Sequence, residues 1–245
     1  MLFQELVVTE IIKYRRTFIP WLVGAGGILA SGIAFLQKTT GDAQIHWEPL
    51  AQTGLSMINL IALLLAAVFS GHVFTAEYHE NMSSIIFTYP VSRFKIYLAK
   101  HLVVLLLIVS LYLAFFLSIV VFGFASVGEL PSAAFLLKLL KVVLLLSGAN
   151  YVLAPVTVLI SLAVKGIGTY ILAGMGYFMV YVGFINSDYS LWIPPCIPDR
   201  LAANYFMMEV MTKSDFTNIL SVSAAVFFSA FFIGAVYYSR SGVYK

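Results

Sequence analysis

The residues able to do chemistry are few and widely spaced. Cys196 is the single cysteine in the 245-residue chain, so neither an intrachain disulfide nor a cysteine-based metal cluster can form. The glycine-dense run GAGGILASG, Gly24–Gly32, lacks the lysine that would reach a phosphate, and it lies inside an apolar segment. No G-x-x-x-x-G-K-[ST] occurs anywhere in the chain, so there is no phosphate-cradling loop. Asn59, His72, His101 and Asn150 stand within or at the ends of apolar runs. Polar groups in such places face a bundle interior or a wet cavity. His72 and His101 are placed at an interface by their positions. Asn150, beside Tyr151 and shortly before Pro155, is more central; it either bonds to a neighbouring helix or lines a translocation path. Tyr170, Tyr177 and Tyr181 fall on roughly one side of their segment, and Tyr177, nearest the middle, needs a partner for its hydroxyl. It is the second candidate for a path residue. Glu77 is placed to pair with Arg93 or Lys100 as a stiffening ion pair. No paired acids or His/Asp set converges within the apolar runs, which argues against a membrane-embedded enzyme.

The elements that position these residues must be membrane helices. The chain is 61% hydrophobic and only 10% charged, whereas soluble domains run near 25% charged. Its net charge of +3 is small and its basic residues are scattered between apolar segments, so it lacks the clustered basic face of a nucleic-acid binder. The N-terminal MLFQELVVTEIIKYRR is acidic before it is basic, unlike a cleaved signal peptide. A spanning helix needs about 20 mainly apolar residues. Six segments meet that expectation: Thr17–Leu36, Leu55–Thr75, Tyr97–Phe124, Leu139–Val164, Gly166–Ile185 and Phe216–Tyr238. Orientation follows from Lys and Arg near the ends of spans. With both termini inside, the inner segments hold Lys13, Arg15, Arg16, Arg93, Lys95, Lys100, Lys165, Arg240 and Lys245. The outer segments hold Lys38, Arg200 and Lys213, with Lys138 and Lys141 ambiguous. Both termini are therefore expected in the cytoplasm. Gly24, Gly27 and Ser31 share one face of the first span and suit close helix packing, within the bundle or at a seam between two copies.

This orientation places the stretch Phe74–Lys100 at the cytoplasmic side. Tyr78, Met82, Ile85 and Tyr89 recur there at helical spacing, with Glu80, Asn81 and Ser84 turned away. Pro90 stops the pattern. A helix this short is marginal alone in water and needs a surface to lie on. That surface is the membrane interface, the bottom of the bundle or a groove on a soluble partner. The run Glu77 … Tyr89-Pro90-Val91-Ser92-Arg93 … Ile96 … Lys100 resembles the cytoplasmic loop of permease subunits of type-2 ABC exporters, the ABC-2 family. Asn81 and Met82 stand where members often carry Gly-Thr. Length and layout are most similar to the small bacterial permeases of peptide-antibiotic immunity and peptide-toxin export.

The resemblance implies an all-α polytopic membrane protein of one domain, residues 1–245. It has six transmembrane helices, an amphipathic N-terminal elbow helix (1–16), a short coupling helix in the cytoplasmic loop (77–96) and an outer loop (187–215) with re-entrant or lid helices. The elbow's apolar side is Phe3, Leu6, Val7, Ile11 and Tyr14, interrupted by Glu10. In the outer loop, Asp199 is expected to cap a helix carrying Leu201, Tyr205, Met208 and Met211. The resemblance also implies a second permease subunit, identical or different, and a separate ABC ATPase subunit that binds ATP and Mg, since this chain has no cofactor of its own. Glu77, Tyr78, Met82, Ile85, Pro90 and Arg93 are the implied ATPase-coupling residues. The implied substrate is an amphipathic peptide or lipid-like molecule. The rival from another class is a membrane structural or assembly protein without transport activity, which gives no reason for the Pro-Val-Ser-Arg loop.

Overall fold

The computed structural model describes residues 3–15, 17–39, 46–79, 92–164, 166–205 and 211–240. They form an all-α bundle. Helix α1 (Phe3–Arg15) is followed by α2 (Ile19–Thr39), α3 (Trp47–His79), α4 (Arg93–Val127), α5 (Ala133–Tyr151), α6 (Ala154–Val164) and α7 (Ile167–Phe184). Two 3-10 turns, Ser190–Trp192 and Pro194–Cys196, lead into α8 (Ile197–Tyr205), and α9 (Lys213–Arg240) closes the described chain.

Among the described residues, five helical stretches are long and apolar enough to cross a membrane: Ile19–Thr39, Trp47–Ala76, Arg93–Val127, Ala133–Val164 and Lys213–Arg240. This corrects the expected six. The segment read as the fifth span forms a shorter apolar helix, Gly168–Phe184 by the same measure. The 18 residues of α7 give about 27 Å of helix at 1.5 Å per residue, against a hydrocarbon core about 30 Å thick. Its run is cut short by Gly166 at one end and by the polar Asn186-Ser187-Asp188 at the other. The expectation of separate elbow and coupling helices is corrected with it. Helix α3 continues without a break through Glu77 and Tyr78 to His79, so these residues extend α3 rather than begin a new helix. Met82, Ile85 and Pro90 lie outside the described residues. The bundle side of α1 is Leu6, Val7, Glu10 and Tyr14, while Phe3 and Ile11 are exposed. Glu10 thus belongs to the packed side instead of interrupting an apolar one.

Lipid tails are as apolar as leucine, so close packing and polar bonds hold such helices together. Helix α2 lays the small residues Gly26, Gly27, Ala30, Ser31 and Ala34 into the bundle. There Ser31 Oγ bonds Ser118 Oγ of α4 at 2.7 Å, and Ser118 Oγ donates to the Gly27 carbonyl at 3.0 Å. Gly24 faces open space. Helix α4 ends at Gly128, whose φ of 77° places it in the left-handed region that closes helices. Ser132 then caps α5 by accepting from the Phe135 amide at 3.2 Å. Helices α5 and α6 form one spanning stretch with a break at Tyr151–Leu153. Pro155 has no N–H to give the preceding turn. The chain tightens there, with Val152 N–H bonding Ala149 O and Leu153 N–H bonding Asn150 O, both at 3.3 Å. Helix α7 packs along α3, where Gly71 receives Tyr170 and Gly174 lies against Leu64 and Ala67.

Beyond α7, α8 begins at Ile197, two residues before the expected cap. Pro194 and Pro195 form the 3-10 turn, and Pro198 sits in the first turn of α8, where a missing N–H costs nothing. Leu201 packs into the core; Met208 lies outside the described residues. Arg200 donates through Nε to Ser190 Oγ at 2.8 Å and through Nη2 to Ile185 O. Cys196 is fully buried, and burial pushes its thiol up to about 11 against the opposing pull of Arg200. An open depression of about 390 Å³ lies between Asn186, Asp188, Arg200 and Asp215.

Candidate functional site at the start of the third span

Residues 93, 97 and 100 are spaced four and three apart, so they share one face of the first two turns of α4. Each reaches a different part of the bundle. Arg93 Nη1 donates to the Ser239 carbonyl at 2.8 Å. That carbonyl belongs to the last turn of α9, the end of a helix that favours a cation. Tyr97 is fully buried, and its hydroxyl donates to Phe231 O at 3.0 Å, again on α9. The approach requires Gly234, since a Cβ there would lie 2.6 Å from the Tyr97 hydroxyl. Lys100 has 0% exposure. Its Nζ donates to Val73 O of α3 at 2.8 Å, sits 5.7 Å above the Phe74 ring and lies 3.7 Å from Glu10 Oε2 of α1.

Around this face the packing is aromatic. Phe74, Tyr97, Phe231 and Tyr151 surround the buried His101, with ring centroids 4.6 to 6.3 Å away. His101 Nδ1 is 3.2 Å from the Tyr151 hydroxyl. His101 is therefore packed inside the bundle, where it ties α4 to α5. Val73 O accepts a second bond, from Tyr14 Oη of α1 at 3.1 Å. The starting turns of α4 thus hold the end of α3, the end of α9 and the packed side of α1.

The expected site residues fare unequally. Arg93 is in this constellation. Glu77 and Tyr78 lie in the last turn of α3, directly before the loop. The path candidates lie in separate settings, Asn150 fully buried and Tyr177 partly buried. Asn150 Nδ2 donates to the Tyr112 hydroxyl, which donates to Asn59 Oδ1 at 2.7 Å. All three residues are buried, and Asn59 Nδ2 and Asn150 Oδ1 have no hydrogen-bond partner among the described residues. Tyr177 Oη instead meets Thr157 Oγ1 at 3.0 Å. Sequence reasoning missed Glu10, Tyr97 and Tyr112. The signal for Tyr97 was its place between Arg93 and Lys100 on one helical face. Tyr112 was marked by a long polar side chain within an apolar run whose other hydroxyls, Ser110 and Ser118, are short.

No group of three or more His, Cys, Asp or Glu side chains among the described residues is arranged to hold a metal ion. The long polar side chains here donate to main-chain carbonyls of other helices. What this arrangement can do is pass a displacement of the loop to several helices at once. These features define a multi-pass membrane protein in which the ends of several helices are tied to the start of α4. Residues 6–183 match the family described as ABC-2 family transporter protein, and the chain belongs to that family. No curated protein matches it.

Proposed function

We propose that the chain is the permease subunit of an ATP-driven exporter, driven by a separate ABC ATPase that binds ATP and Mg and docks on the cytoplasmic loop. Two permease subunits, identical or different, enclose the path. The observation that carries this reading is the polar face Arg93, Tyr97 and Lys100 at the exit of the loop, bonded to α9 and α3. A push on the loop enters α4 and reaches those helices through bonds, not only through loose apolar contact. Family membership supports association with an ATPase.

Both chain ends face the cytoplasm in this reading. Arg93 bonded to Ser239, and Tyr14 bonded to Val73, bring the N-terminal helix, the loop ends and the end of α9 to one end of the bundle. That end also carries Lys13, Lys100 and Arg240, the sign expected inside. The location is the bacterial cell membrane. The substrate is an amphipathic peptide, as in the small immunity and toxin-export permeases that the loop resembles, and Asn150 and Tyr177 line its path.

Glu77, Tyr78, Met82, Ile85 and Pro90 form the docking element together with Arg93. Apolar anchors central to an interface commonly cost about 2 kcal/mol or more when lost. An unpaired charge in an apolar groove is strongly disfavoured. Met82→Asp is therefore expected to abolish co-purification of the ATPase while the chain still inserts. Glu80→Ala, which removes a charge but no apolar anchor, is expected to be nearly silent. Pull-down from membranes with mass spectrometry measures both. Unchanged ATPase recovery with Met82→Asp would remove the loop as the docking element.

A further inference from the structure

Asp199 lies in the first turn of α8, and α8 packs on α3 and α5. Its Oδ1 is shielded from solvent and has no hydrogen-bond partner among the described residues. The turn that leads into α8 is seated inside the bundle, where Cys196 packs with Leu63 of α3, Leu153 and Tyr181 of α7. Leu63 is one turn from Asn59 along α3, and Leu153 closely follows Asn150. The charge of Asp199 acts on the hydroxyls of Tyr181 and Tyr112. Tyr112 is the residue that joins Asn150 to Asn59. Asn59 and Asn150 are 1% and 0% exposed, and Asn59 Nδ2 and Asn150 Oδ1 also lack partners among the described residues. Three orphaned polar atoms, from α3, α5 and α8, therefore share one neighbourhood around Tyr112.

Buried polar groups are nearly always bonded, and each exception calls for an explanation. The chemistry of these orphans says what would complete them. Two are oxygen acceptors, one of them on a carboxylate, and the third is an amide donor. A calcium ion takes about six or more oxygens. A primary ammonium brings one positive charge and several N–H donors. In a peptide it can stand beside a carbonyl that an amide N–H can meet.

We infer that Asp199, Asn150 and Asn59 form a buried subsite around Tyr112 for an amine of the amphipathic peptide. Asp199 supplies the counter-charge, Asn150 Oδ1 a second acceptor, and Asn59 Nδ2 a donor to the neighbouring carbonyl. The path thereby selects cationic peptides. This inference deepens the exporter reading and rests on it, yet amine binding is measurable on the chain without an ATPase.

The test has two arms. In the first, the chain alone in lipid nanodiscs is offered dodecylamine carrying a diazirine beside its nitrogen, or dodecanol carrying one at the same place. After illumination, the labelled peptides are identified by mass spectrometry. In wild type the amine is expected to label the segments around Asp199 and Tyr112, and unlabelled dodecylamine to compete. The alcohol is expected to label lipid-facing residues only. Asp199→Asn, nearly the same shape, is expected to lower the competed labelling roughly tenfold, the worth of a hydrogen bond to a charged group. Asp199→Glu, which keeps the charge, is expected to retain much of it. In the second arm, the chain with its ATPase is assayed for ATP hydrolysis stimulated by a lysine-rich amphipathic peptide, before and after its amines are acetylated. Acetylation is expected to abolish the stimulation.

Equal labelling of both segments by the alcohol, or undiminished labelling in Asp199→Asn, overturns the subsite. Should Asp199→Asn fail to fold, the comparison of amine with alcohol on wild type decides by itself. Stimulation indifferent to acetylation overturns the selection of cationic peptides and leaves the exporter standing. Competed amine labelling in a chain that recruits no ATPase keeps the subsite, while the proposed function falls.

Discussion

Gly27→Ala is expected to destabilise the chain in detergent or lipid, whereas Gly24→Ala, one turn earlier on the same helix, is expected to leave it unchanged or slightly more stable. A Cβ on Gly27 would lie 2.6 Å from the Phe115 amide nitrogen and 2.7 Å from the Ala114 carbonyl carbon. Both atoms are backbone of α4 and cannot rotate aside, so α2 and α4 must separate. Overpacking of this kind costs about 1–3 kcal/mol. Separation would also stretch the Ser31–Ser118 and Ser118–Gly27 bonds that the close approach permits. A Cβ on Gly24 meets nothing within 4 Å, and alanine favours a helix over glycine by about 0.8–1.0 kcal/mol. Thermal unfolding of the two variants side by side decides the matter. Equal stability would mean that the small-residue face is not a packing seam between α2 and α4.

Tyr112→Phe is expected to cost more than a single interhelical bond. In membranes such bonds average about 0.6 kcal/mol. Here one hydroxyl serves two buried amides, accepting from Asn150 Nδ2 and donating to Asn59 Oδ1. Its removal strips a partner from each, and a buried polar group left unsatisfied costs about 1–3 kcal/mol. The triple variant Asn59→Leu/Tyr112→Phe/Asn150→Leu is expected to recover most of that stability, because no polar atom of the three then lacks a partner. The same variant separates the two readings of Asn150. Recovered stability with transport lost places the triad in the path. Recovered stability with full transport would falsify the path role and leave a packing device. Stability unchanged in Tyr112→Phe itself would show that the hydroxyl does not hold the three helices.

The spans were legible wherever a long apolar run was the whole signal, as in Trp47–Ala76 and Arg93–Val127. The segment around Tyr177 misled because composition identifies apolar residues but not where a helix ends; α7 stops at Phe184. The Pro-Val-Ser-Arg run between α3 and α4 pointed to the family that residues 6–183 match. Glu10 was misread because a helical pattern scores a carboxylate as an interruption, and only the position of α4 reveals the lysine opposite. The partners of Asn150 were illegible for a related reason. They depend on how α3, α4 and α5 are rotated about their axes, and that is set by packing.

The central claim is that this chain is moved by a separate ATPase through the start of α4. Peptide-stimulated ATP hydrolysis by the purified complex in lipid vesicles, wild type against Arg93→Ala, measures it most directly. Loss of Arg93 removes the bond to Ser239 O while leaving Met82 and Ile85, the proposed anchors, unchanged. The account predicts that the chain alone hydrolyses no ATP and that the wild-type complex is stimulated by its peptide. It predicts that Arg93→Ala keeps the ATPase bound but loses most of that stimulation. Hydrolysis by the chain without any ATPase subunit, or full stimulation in Arg93→Ala, would contradict it.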